Sequence, residues 1–215
     1  MATLDRTSSA TAADHLLRFD RVQRTAHWLN ALLFGALIVT AIPLYFGSLF
    51  GLVLPRHTVE QIHLYCGLVL PIPVVVSLLG QWGAQMRRDI RRVSFWTRDE
   101  VHWLRRLGRS PLRADKFNPG QKMNTIFVGA SIVVMLGTGA ILKWFQPFSI
   151  SIREGATFVH DSLSFLLALV IVGHIIMALT HRDELRSMFL GTVSAQWAAR
   201  VAPRWFAEQP HDPAP

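Results

Sequence analysis

The chain has 215 residues, 51% of them hydrophobic and 17% charged, with Lys and Arg exceeding Asp and Glu by 22 to 14. A soluble domain carries about 25% charged residues, so this composition excludes an ordinary water-solvated globule as well as a disordered or collagen-like chain. Cys66 is the only cysteine, which excludes a disulfide scaffold, and it reads as a small buried hydrophobe. The formal charge of +8 does not point to nucleic acid, because most of the basic residues gather in one hydrophilic stretch between long apolar runs.

Residues 1–25 form an N-terminal segment whose Ala/Thr/Ser-rich opening lacks an apolar core, so a cleaved signal peptide is not expected. A hydrocarbon layer of about 30 Å takes ~20 helical residues at about 1.5 Å each. Four stretches meet that length, at about 26–46, 59–82, 124–145 and 156–180, and none holds Lys or Arg apart from Lys143 near an end. The expected fold is all-α: an integral membrane four-helix bundle, residues 26–180, with a cytoplasmic interfacial helix and tail.

The loop at 83–123 carries Arg87, Arg88, Arg91, Arg92, Arg98, Arg105, Arg106, Arg109, Arg113, Lys116 and Lys122, whereas the other two loops offer Arg56 and Arg153. Cytoplasmic loops hold the excess of Lys and Arg, so this loop and both termini are expected in the cytoplasm. Arg18, Arg21 and Arg24 before the first span, and Arg182 and Arg186 after the fourth, agree with that orientation. Trp28, Trp82, Trp103 and Trp144 near the span ends suit an aromatic belt, or ordinary packing. Within the loop, Thr97 and Glu100 have capping-box spacing and Val101, Leu104 and Leu107 follow, which predicts a short interfacial helix. In the cytoplasmic tail, 181–215, Val193, Trp197, Val201 and Trp205 recur at helical spacing, as in a docking element or an amphipathic segment lying on lipid.

Ionisable side chains inside a membrane mark function by default, and His27, His63, His160 and His174 fall within the spans. His160 and His174 are fourteen positions apart on the fourth helix, about 21 Å along its axis and offset by ~40° around it. They face one way at two depths, which suits two large planar cofactors, two haems, better than one zinc ion. Alternating helix direction matches His63 with His160 toward the outer face and His27 with His174 toward the cytoplasm. An iron held by two histidines has no open position and transfers electrons. Each imidazole then needs a partner for its second nitrogen. Gly35, Gly67 and Gly173 lie near these histidines and suit either close approach of a macrocycle or helix–helix packing. His57 is a loop rival to His63, His181 lies at the water boundary, and His15, His102 and His211 are in polar segments.

Motifs spread along nearly the whole chain resemble the cytochrome b (gamma) subunit of respiratory membrane-bound formate dehydrogenases. They are Arg24-Thr25-Ala26-His27-Trp28, Ile62-His63 followed by Gly67, Lys116-Phe117-Asn118-Pro119-Gly120-Gln121-Lys122-Met123, Val159-His160, Gly173-His174-Ile175 and Pro203-Arg204-Trp205. The resemblance implies two haem b groups, with His63 and His160 on the outer iron and His27 and His174 on the inner one. It implies a bacterial inner-membrane protein whose partners are an iron–sulfur (beta) subunit and, through it, a molybdenum or tungsten catalytic (alpha) subunit that oxidises formate. Electrons would pass to a quinone, menaquinone or ubiquinone, reduced near the cytoplasmic face. Asn118, Gly120 and Gln121 carry over as quinone-pocket residues with His174, and Asn118 and Gly120 are equally suited to ending the loop and capping the third span. Arg24 either neutralises haem propionates or serves the charge bias.

Other readings are the cytochrome b subunit of a nickel–iron hydrogenase or thiosulfate reductase, and a proton-coupled transporter with histidine relays. The transporter calls for intramembrane carboxylates, whereas Glu60 and Asp161 sit at span ends. An intramembrane metalloprotease lacks its His-Glu-x-x-His motif here. The chain also holds no iron–sulfur or molybdopterin motif, so formate oxidation would belong to a partner.

Overall fold

The computed structural model describes residues 15–47 and 54–209, so the opening residues and His211 lie outside it. In chain order the elements are β1 (His15–Leu17), α1 (Arg21–Tyr45), α2 (Arg56–Val69), α3 (Ile72–Ser77), α4 (Ala84–Ser94), α5 (Arg98–Arg105), α6 (Pro119–Lys143), α7 (Ile150–Thr180), α8 (Arg182–Leu190), β2 (Thr192–Ser194), α9 (Ala195–Val201) and α10 (Pro203–Ala207). Four apolar helical stretches are long enough to cross a membrane: Arg21–Tyr45, Arg56–Ser77, Pro119–Lys143 and Ile150–Thr180. They are the four spans expected from composition, each starting three to six residues earlier than its apolar run because polar residues supply the first turn.

Two compact units divide the chain, one of Met1–Arg24, Gly83–Ile126 and Met177–Pro215, the other of Thr25–Trp82 and Phe127–Ile176. The second, histidine-bearing unit turns large apolar side chains outward, among them Leu32, Val39, Val133, Phe158 and Phe165. Its few buried residues are mostly small or polar, such as Ala26, Thr40, Ser77, Ser131 and Ala156. The second span is not one continuous helix. Pro71 and Pro73 supply no backbone N–H, so the ladder breaks between α2 and α3. It also ends at Ser77 rather than at the expected 82, because Gly80 takes a left-handed φ of 59° and leaves Trp82 exposed in a turn.

The other unit is polar and built from three reciprocal caps. At the start of α5 Thr97 Oγ1 accepts from Glu100 N and Glu100 Oε2 accepts from Thr97 N, the expected capping box. The same geometry opens α1 with Asp20 and Gln23, and α6 with Asn118 and Gln121. Leu107 does not extend the apolar face of α5, because it sits beyond the helix end at φ 50°, 81% exposed.

A two-stranded antiparallel sheet, which the all-α reading did not contain, pairs Leu16 with Val193. Around it Val193, Trp197, Ala198, Ala202 and Trp205 make a core, with Leu16 and Phe206 packed on it. The tail is therefore neither a lipid-lying segment nor an open docking helix. Its apolar stripe is buried inside its own unit, except for Val201. Gly191 ends α8 at φ 88°, and a Cβ there would stand 2.7 Å from Phe19 O, so no other residue fits.

Candidate functional site

The histidine-bearing unit sets its four intramembrane imidazoles in two pairs. His27 on α1 faces His174 on α7 with ring centres 6.3 Å apart, and His63 on α2 faces His160 on α7 with centres 6.4 Å apart. Both pairs are tilted by 59°. A ring nitrogen lies about 2.0–2.1 Å from a metal that it ligates and about 1.1 Å from its ring centre, so two imidazoles sharing one ion have centres about 6.3 Å apart. Rings joined by a direct N–H···N bond would have centres about 5.2 Å apart. The spacing of both pairs thus suits one ion between two rings.

Two imidazoles leave four positions of a six-coordinate ion unfilled. Among the described residues no group of three or more His, Cys, Asp and Glu side chains comes together. A porphyrin would supply the remaining ligands, with the two imidazoles holding it. The glycines near the histidines border open space. A Cβ added at Gly35 or Gly173 would meet nothing within 4 Å, and one at Gly67 would meet only Leu37 Cδ2 at 3.9 Å. Close helix–helix packing, the other reading of these glycines, is therefore not what keeps them small. The donor set and its spacing fit haem b.

The His63–His160 pair has partners for its second nitrogens. Thr40 Oγ1 lies 2.9 Å from His63 Nδ1, and Thr138 Oγ1 lies 2.9 Å from His160 Nδ1. Neither threonine was singled out in the sequence, where a hydroxyl in a membrane helix looks like one that merely bonds its own carbonyl ladder. The rival His57 belongs to the first turn of α2, 3.5 Å from Gln61 Nε2. His181 precedes α8 and its Nδ1 donates to Met177 O at 2.8 Å.

The Lys116–Met123 segment lies in the polar unit and is held at several points. Lys116 is fully buried and pairs with Asp89, whose Oδ2 also accepts from Gln23 Nε2 at 2.6 Å. Burial lowers the Lys116 ammonium below its ordinary range, and the Asp89 charge opposes that shift. Lys122 Nζ lies 2.7 Å from Glu100 Oε1 and donates to Phe95 O at 2.8 Å. Asn118 Oδ1 accepts from Gln121 N, while Gln121 Nε2 donates to Glu184 Oε2 at 3.0 Å. Asn118 is thus the cap of α6, with its amide N–H groups bonded to no described residue.

Arg24 donates from Nε to Asp20 O at 3.4 Å and from Nη1 to Phe189 O, and its other three N–H donors are bonded to no described residue. Arg18 lies over the Trp197 ring at 4.6 Å, and burial lowers its pKa to about 10 against the opposing charges of Glu184 and Asp89.

A family model described as prokaryotic cytochrome b561 matches residues 18–191. The formate dehydrogenase cytochrome b556 subunit of Haemophilus influenzae is 26% identical over 203 residues, covering 90% of this chain and 83% of its own length. The formate dehydrogenase cytochrome b556(fdo) subunit of Escherichia coli K12 is 26% identical over 208 residues, covering 91% and 93%. The nitrate-inducible cytochrome b556(Fdn) subunit of the same organism is 24% identical over 201 residues, covering 90% and 91%.

Proposed function

Since the chain belongs to the prokaryotic cytochrome b561 family, and is by that membership a prokaryotic membrane cytochrome that carries haem b, we propose that it is the di-haem membrane subunit of a formate:quinone oxidoreductase. The observation that carries this reading is the pair of imidazole separations, 6.3 and 6.4 Å, on histidines fourteen residues apart along α7. Two haem b groups supply one-electron carriers when bound. His63 and His160 hold the outer one and His27 and His174 the inner one, and Arg24 is assigned to a propionate carboxylate from its motif in the sequence.

The chain has both termini in the cytoplasm and accepts electrons on the outer side from an iron–sulfur subunit, itself fed by a molybdenum or tungsten subunit that oxidises formate. The eleven basic residues of the 83–123 loop support that orientation. Quinone takes two electrons and two protons near the cytoplasmic face, in a pocket to which Asn118, Gly120 and Gln121 contribute. Asn118 holds the one amide there that is bonded to no described residue, and its N–H groups suit a quinone carbonyl. Gln121 adds a hydrogen-bonded link to the Glu184 carboxylate, a group able to hold a proton. Moving an electron inward against the membrane field costs about 2.3 kcal/mol per 100 mV, which a low-potential donor such as formate supplies, so turnover adds to the proton-motive force.

The test is haem content with electron delivery. The purified chain should show reduced haem b bands and two haems per chain, and His160→Ala should lose one of them and block quinone reduction by formate in the assembled complex. A colourless wild-type chain, or formate-driven quinone reduction that survives His160→Ala, would overturn the assignment.

A further inference from the structure

The two outer imidazoles each rest on a threonine from the preceding membrane span. Thr40 on α1 serves His63 on α2, 23 positions later, and Thr138 on α6 serves His160 on α7, 22 positions later. Counting protons gives the direction of both bonds. A threonine hydroxyl has one proton, and Thr40 donates it to Ala36 O at 2.7 Å while Thr138 donates its own to Val134 O at 2.9 Å. Each Oγ1 then has only lone pairs left for the ring, so Nδ1 carries the imidazole proton and donates it. A neutral imidazole protonated on Nδ1 keeps its lone pair on Nε2. Both rings of this pair are thereby set in the tautomer that ligates through Nε2.

We infer that Thr40 and Thr138 are positioning residues of the outer site, which select the Nδ1–H tautomer of His63 and His160 and make both nitrogens stronger electron donors to a shared iron. The inference rests on the haem reading above. A second-nitrogen hydrogen bond raises the basicity of a metal-bound imidazole and orients its ring. More basic ligands favour ferric over ferrous iron, so these hydroxyls lower the potential of the outer site. Among the described residues no hydroxyl is bonded to His27 or His174, so the effect is confined to one pair. That bias gives the two sites different potentials without any difference in ligand type.

The experiment is redox titration of the haem bands with low-temperature electron paramagnetic resonance of the ferric protein. It compares wild type with Thr40→Val, Thr138→Val, the double valine variant and the corresponding serine variants. With two haems retained, one midpoint potential should rise in each valine variant and rise furthest in the double. One ferric signal should shift and the other stay, and serine, which keeps the hydroxyl, should restore wild-type values. Loss of a single haem in the valine variants with retention in the serine variants supports the same role, because valine matches the shape of threonine and lacks only its hydroxyl. Unchanged midpoints and signals in a fully loaded double valine variant would overturn the inference, as would equal effects of valine and serine. Failure of the haem reading is seen separately, as a wild-type chain without haem bands.

Discussion

The two units of this chain solve opposite packing problems. In the polar unit the interior is closed by its own side chains: Trp197 and Trp205 fill the space beside the small sheet, and Lys116 meets Asp89 as Lys122 meets Glu100. In the histidine-bearing unit the buried positions are mostly small or polar and the imidazoles stand about one ligated ion apart. One region carries its own complement of charge and volume, whereas the other sets its imidazole donors in pairs at the spacing of a shared ion. Removing side chains should therefore unfold the first and empty the second.

The largest effect on that contrast is expected at Lys116. Changing it to Met leaves Asp89 buried with Gln23 as its remaining hydrogen-bond partner among the described residues, and breaking such a pair costs about 3–5 kcal/mol. Thermal denaturation in detergent, followed by near-ultraviolet circular dichroism, should show the loss, and combining Lys116→Met with Asp89→Leu should recover most of it. An undiminished melting temperature in the single variant would mean that the pair is not closed to water.

Function at the Asn118 segment is the next contrast. Asn118→Ser keeps a capping oxygen for Gln121 N but removes the amide donors. Both haems should remain and quinone reduction should slow by about tenfold or more, a loss of ~1.4 kcal/mol or more in stabilisation of the reacting quinone. Normal turnover would return Asn118 to a purely capping role. The smallest effect is expected at Thr97. Thr97→Ala loses one reciprocal cap and about 1 kcal/mol of stability, with haem content and both potentials unaffected.

Much of the histidine-bearing unit is legible in the sequence because a membrane simplifies the code. Length and hydropathy mark the spans, and helical geometry alone puts His160 and His174 on one face at two depths. The same reasoning stops at their supports. Thr40 and Thr138 resemble any hydroxyl bonded to its own helix, and only the neighbouring ring distinguishes them. The caps teach a related lesson. The Thr97–Glu100 box is legible from its spacing, and Asn118 is legible as a cap of the third span. Asp20–Gln23 and Asn118–Gln121 have the same spacing with glutamine in place of glutamate, and each glutamine reaches on to a distant carboxylate, Asp89 or Glu184.

From the linear chain alone come the four apolar spans, the concentration of positive charge in one loop, and the periodic placement of the histidines. These depend on solvation and on local helix geometry, both of which act residue by residue. Tertiary structure alone decided the fate of the C-terminal stripe, which pairs with β1 and buries Trp197 and Trp205. It also decided which hydroxyl meets which imidazole, and how Lys116 and Lys122 are neutralised. Those outcomes join residues from 22 to nearly 180 positions apart, and no local propensity encodes a contact whose two halves are brought together only by the closure of the whole chain.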